Sequence, residues 1–111
     1  MEIINLNIKP LSINEAFRGR RFKSQLYKTF EASVLYKLPI LEVPEGKLEV
    51  EITFGFSNKG ADLDNPAKMF IDCLQKKYGF NDNNIYKLIL HKDIVKKGSE
   101  YISFSIESIS I

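Results

Sequence analysis

A single α/β (α+β) domain, with a mixed sheet in the order β-α-β-α-β-β and two helices packed on it, is the architecture that three observations predict. Apolar residues alternate with polar ones in four separate stretches, which is the period of a half-buried strand. Two longer stretches carry apolar residues at helical spacing, and each ends at a residue that stops helices, Pro39 and Gly79. Nothing in the chain is repeated, low in complexity or linker-like, so residues 1–111 are expected to form one domain. That length buries a real core and leaves little room for a second module.

Strand one follows from Ile4, Leu6 and Ile8 alternating with Asn5 and Asn7, and is expected to end at Pro10. A helix is expected over 24–38, where Leu26, Tyr27, Phe30, Val34 and Leu38 form one stripe and Ser24 can cap the start. Leu48, Val50, Ile52, Phe54 and Phe56 alternate with Glu49, Glu51 and Thr53, the cleanest strand pattern in the chain. Residues 57–61 are small and polar, hence a loop. A second helix is expected with Asn65 as its cap and Pro66 at its first position, burying Ala67, Phe70, Ile71, Leu74 and Tyr78. Tyr86, Leu88 and Leu90 form a third strand and Ile102, Phe104 and Ile106 a fourth, expected to be joined as a hairpin through 96–99.

Composition narrows the function classes. No stretch approaches the roughly 18 uninterrupted apolar residues of a membrane span, and the first residues lack a signal-peptide pattern, so a cytoplasmic protein without a membrane role is expected. Cys73 is the only cysteine, which excludes an internal disulfide, and its place in a helical stripe marks a packed thiol. His91 is the only histidine and is assigned no role. The net charge of +2 is modest, but Arg18, Arg20, Arg21, Lys23 and Lys28 follow one another with no acid between them. Taken alone such a run is a solvated face; beside a phosphate-handling site it is a DNA-binding segment, because each phosphate neutralised by Lys or Arg releases counterions.

The most informative stretch is Asp62 to Asp72, with Asp82 a short helix later. Pro66 disfavours the helical region for the residue before it, and in an extended segment Asp62 and Asp64, two apart, point the same way. Two carboxylates side by side repel unless a cation lies between them, and hard oxygen ligands suit Mg2+, with Mn2+ as a substitute. Lys68 and Asp72, four apart, are either an exposed helical ion pair or, for Lys68, a cation directed back toward the carboxylates. A calcium-binding EF-hand loop is excluded, because Ala67 stands where that loop needs Gly and Cys73 where it needs Glu.

Asp62-Leu63-Asp64-Asn65, then Lys68, Asp72 and Leu74, then Gly79 and Asp82 with Ile85 behind it, resemble the RusA-type Holliday junction resolvases (the endodeoxyribonuclease RusA family). Pro10, Ser12, Asn14 and Arg18-Gly19-Arg20-Arg21 are similar to that family's entry segment, so the resemblance covers most of the chain. It implies a metal-dependent endonuclease of bacteria and their phages that resolves four-way DNA junctions by paired symmetric nicks in recombination and repair, with Asp62, Asp64 and Asp82 as catalytic metal ligands, Lys68 as the catalytic lysine, and no organic cofactor. Where the family has an acidic pair this chain has Asn81-Asp82, and the carry-over is placed on Asp82. Two symmetric nicks call for a homodimer. About 12 helical residues at about 1.5 Å each set Asp64 and Asp82 roughly 18 Å apart, so Asp82 is expected to reach the site from the partner unless the loops bend it there within one chain. Cleavage of other branched or flapped DNA, and nucleic-acid binding without catalysis, are the alternatives.

Overall fold

The computed structural model describes residues 2–11, 17–18, 22–23 and 25–109. In chain order these form β1 (Ile4–Leu6), β2 (Phe17–Arg18), β3 (Phe22–Lys23), α1 (Gln25–Lys37), β4 (Leu48–Phe56), α2 (Asp64–Tyr78), a 3-10 turn (Asp82–Asn84), β5 (Ile85–Ile94) and β6 (Tyr101–Ser108). The main sheet has the order β1-β6-β4-β5, antiparallel except for the parallel pair β4 and β5. A parallel pair needs a crossover, and α2 supplies it. The fold is therefore α+β: a mixed four-stranded sheet with two helices.

The alternation in β4 works as read: Leu48, Val50, Ile52, Phe54 and Phe56 are all buried. Ile102 and Phe104 of β6 lie on the same side and complete the floor on which the helices sit. Tyr27, Phe30 and Val34 of α1 and Ala67, Met69, Phe70, Cys73 and Leu74 of α2 cover it. Phe70 is the keystone, meeting Phe54 and Phe104 edge-on with ring centroids 6.3 Å and 5.5 Å away, a favoured aromatic geometry. Between the helices, Lys76 pairs with Glu31 at 2.8 Å and the Tyr78 hydroxyl donates to the Pro39 carbonyl at 2.7 Å. The other face of the sheet carries Glu49, Glu51 and Thr53; Glu51 meets His91 at 2.6 Å and Glu49 meets Lys87 at 3.5 Å.

Several local expectations are corrected. β1 stops at Leu6, where the Ile8 N–H turns back to the Leu6 carbonyl, so Pro10 is not the residue that ends it. Between β1 and α1 the order gains an extra two-stranded sheet, Phe17 opposite Lys23 and Arg18 opposite Phe22, whose two-residue strands are too short to show a period. Ser24 lies outside the described residues. Leu26 belongs to the helix but not to its buried stripe. The third and fourth strands do not form a hairpin; β5 and β6 flank β4 on opposite sides. Pairing both edges of β4 satisfies the backbone of its whole apolar length, and a short connection suffices because β5 and β6 still run in opposite directions. That connection is fastened over the end of β4: Val95 donates to the Phe56 carbonyl, and Glu100 accepts from Ser57 Oγ at 2.8 Å and the Gly98 N–H at 2.9 Å. Hydrogen bonds from its own N–H, Ser57 and Gly98 hold the Glu100 carboxyl below its ordinary value.

Candidate functional site

α2 begins at Asp64, two residues before the proline expected to open it, and its N-cap Leu63 is itself in the right-handed helical region with no side-chain cap. Proline is tolerated there because the first four N–H groups of a helix have no intrahelical partner to lose. One consequence corrects the pairing argument. With Leu63 helical rather than extended, Asp62 and Asp64 do not share a direction by strand alternation, since residues two apart on a helical turn diverge. The C-terminus follows expectation: Gly79 takes φ 76° and its N–H closes on the Gln75 carbonyl at 2.8 Å, a left-handed cap that glycine alone adopts cheaply.

Between α2 and β5 runs a groove of about 460 Å³, lined by Asp64, Lys68, Asp72 and Asp82 above a floor of Ala67, Ile71, Ile85, Leu88 and Leu90. It exists because β5 extends the sheet beyond the reach of the helix, so the outer strand is covered on one flank only. Three carboxylates against one ammonium give the groove an excess of two negative charges, which draws cations. Asp64, Lys68 and Asp82 are exposed. The expected Lys68–Asp72 ion pair is not formed; Asp72 instead accepts from Gln75 Nε2 at 3.3 Å, and Lys68 makes no ion pair with any described residue. Lys68 thus lines the groove without an ionic partner among the described residues.

The turn that carries Asp82 is held by a residue that sequence reasoning missed. Gln75 donates to Asp72 and accepts the Asp82 N–H on its Oε1 at 3.0 Å, tying the 3-10 turn to α2. Its position three residues after Asp72 on the helix was readable, but its link to Asp82 depends on how the chain folds back. Next to it Asn81 has a different task, capping the turn by accepting the Asn83 N–H on its side chain at 2.9 Å. The side chain of Asp82 lines the groove while that of Asn81 closes on backbone.

Of the residues expected to act together, the structure brings Asp64, Lys68 and Asp82 to one groove and leaves Asp62 outside its lining. The carboxylates do not converge within the chain. Asp64 opens α2 and Asp82 follows its end, and the fifteen residues between those ends span about 22 Å at about 1.5 Å each. Among the described residues no three His, Cys, Asp or Glu side chains are placed to hold one metal ion. At the start of α2 the groove wall carries Asp64, a hard oxygen donor, while Asp62 stands outside the lining. Of the basic segment, Arg18 and Lys23 fall in β2 and β3 with only their backbone described, Lys28 is exposed on α1, and Arg20 and Arg21 lie outside the described residues.

Among the described residues no helix is long and apolar enough to cross a membrane. No protein-family model and no curated protein matches the chain.

Proposed function

We propose that the protein is a metal-dependent endodeoxyribonuclease of the RusA type that cuts branched DNA, four-way junctions first among them, with Mg2+ or Mn2+ as its ion. The observation that carries this reading is the groove in which Asp64, Lys68 and Asp82, drawn from two separated segments, face a common opening. Its acidic balance suits a hard cation, and its unpaired lysine suits an anionic substrate that arrives with one.

Asp64, with Asp62 beside it in the chain, would hold the divalent ion, and Asp82 of the partner subunit would complete the set, because α2 separates the two ends of the groove within one chain; the ion when bound would supply an activated water and charge neutralisation at the scissile phosphate. Lys68, one helical turn beyond Asp64, would offset the extra negative charge that builds on the phosphate oxygens as a fifth bond forms. Gln75 keeps Asp82 in place, which limits the reorganisation the site must undergo. The basic residues Arg18, Arg20, Arg21, Lys23 and Lys28 would hold arm phosphates, orienting the junction without reading bases.

The test is incubation with labelled four-way junction, linear duplex and flap DNA, with Mg2+ or with EDTA. Paired symmetric nicks on the junction alone, abolished by EDTA, are expected. Asp64→Asn should abolish cutting and leave junction binding intact or tighter, since it removes a ligand charge and lessens repulsion of phosphates. Near-normal cutting by that variant removes the assignment, and preferred cutting of flaps moves the substrate to other branched DNA.

A further inference from the structure

Gln75 holds the exit of α2 with both its backbone and its side chain. Its carbonyl accepts the Gly79 N–H at 2.8 Å, and its Oε1 accepts the Asp82 N–H at 3.0 Å. The second bond satisfies a donor of the 3-10 turn that Asn81 does not reach, since the Asn81 side chain is taken by the Asn83 N–H. Gln75 can aim its oxygen there because its Nε2 donates to Asp72 Oδ1 at 3.3 Å, three residues back on the same face of the helix. An amide does both at once, donating with one end and accepting with the other. We infer that Asp72 and Gln75 form a strut that positions Asp82 for the divalent ion, with Gln75 as the positioning residue and Asp72 as its anchor rather than a ligand of the ion.

This role rests on the nuclease reading, and it divides the three carboxylates of the groove wall by task. Asp72 is partly buried, whereas Asp64 and Asp82 are exposed. Its charge also lies near the Tyr27 hydroxyl of α1: burial first, and then Asp72, hold that phenol above its ordinary value. A carboxylate that already accepts from Gln75 and stands near a second helix has fewer lone pairs to offer a cation than one in open solvent. Asp82, by contrast, rides on a turn of three residues with few hydrogen bonds of its own. Its backbone must be fixed from outside if the carboxylate is to meet an ion in one geometry. Residues that orient a ligand without touching the metal typically change affinity or activity by about 10–100-fold when they are replaced.

Four variants of the full chain test the strut, with two quantities read separately: the Mg2+ concentration for half-maximal junction cutting, and the cutting rate at saturating Mg2+. Gln75→Glu keeps the length and the acceptor but sets a carboxylate against Asp72, and Gln75→Leu removes both bonds. Each should raise the Mg2+ requirement by roughly tenfold, lose less of the rate at saturation, and leave the urea midpoint nearly unchanged. Asp72→Asn keeps an acceptor for Gln75 and should retain most of its cutting. Combined with Gln75→Glu, the same change lets an amide donate to the new carboxylate, and the Mg2+ requirement should return toward that of the wild type. A wild-type Mg2+ requirement in Gln75→Leu, loss of cutting in Asp72→Asn, or a double variant no better than Gln75→Glu overturns the inference.

Hydrogen exchange at the Asp82 amide reads the same bond without DNA or metal. It should be faster in Gln75→Leu, and an unchanged rate overturns the strut. A wild-type chain that cuts no DNA removes the nuclease reading, and with it the role at the ion, while the exchange rate still decides whether the strut exists.

Discussion

A methyl group at position 55 has nowhere to go. Gly55 lies in β4 under the ring of Tyr101, and an added Cβ would come within 2.3 Å of that ring, far inside contact distance. The ring is there because Tyr101, on β6, bridges the central strand to reach Asp93 on β5, and that hydrogen bond raises the phenol above its ordinary value. Gly55→Ala is therefore expected to destabilise the fold by about 1–3 kcal/mol through overpacking, and urea denaturation measures it. Tyr101→Phe removes only the exposed hydrogen bond and should cost about 1 kcal/mol. At the turn after α2 the two neighbours should separate cleanly. Asn81→Ala should cost about 1 kcal/mol of stability by removing a cap and leave DNA cutting near normal. Asp82→Asn should leave stability near unchanged and remove cutting. The opposite pattern would move the carry-over to Asn81.

At the scale of elements, the basic segment has a prediction independent of the groove. With Arg20 and Arg21 both changed to Ala, affinity for all DNA should fall together, and the slope of log affinity against log salt should become shallower by roughly one to two units. An unchanged slope would return the segment to a solvated face. The elements also show what could be read from the chain and what could not. Both helices and the central strand were legible because their signals are local: a stripe or an alternation several residues long, ended by Pro39 or Gly79. Strand pairing was not, because the β5–β6 connection resembles a hairpin locally while β4 takes the place between its arms. The helix start was misjudged for a related reason, since the preference of a residue before proline is weak and Asp64 is helical regardless. At the candidate site the residue types were legible and the distances were not. Asp64, Lys68 and Asp82 share a groove, yet fifteen helical residues separate its acidic ends, a length readable from the chain that becomes a constraint only once both ends are fixed to one helix.

For the whole molecule, that separation makes the assembly testable. If Asp82 acts in the partner's site, mixing Asp64→Asn subunits with Asp82→Asn subunits creates heterodimers with one site carrying both lesions and one carrying neither. Single-strand nicking should then return under conditions of subunit exchange, from two preparations inactive alone. No recovery would assign each site to one chain. The arrangement of strands carries a further consequence, for the order of events during synthesis. β1 has β6 as its partner in the sheet, Ile4 opposite Phe104, and β4 acquires its second neighbour only when the same β6 arrives. A growing chain on the ribosome can form α1, β4, α2 and β5 before that point, yet its sheet has two strands and one flank of β4 open. Such non-local pairing is slow, and unpaired edges invite association while they wait. Emergence of β6 from the ribosome is thus the event that closes the sheet, so a chain halted before position 101 should be a substrate for chaperones or proteases rather than a smaller version of the fold.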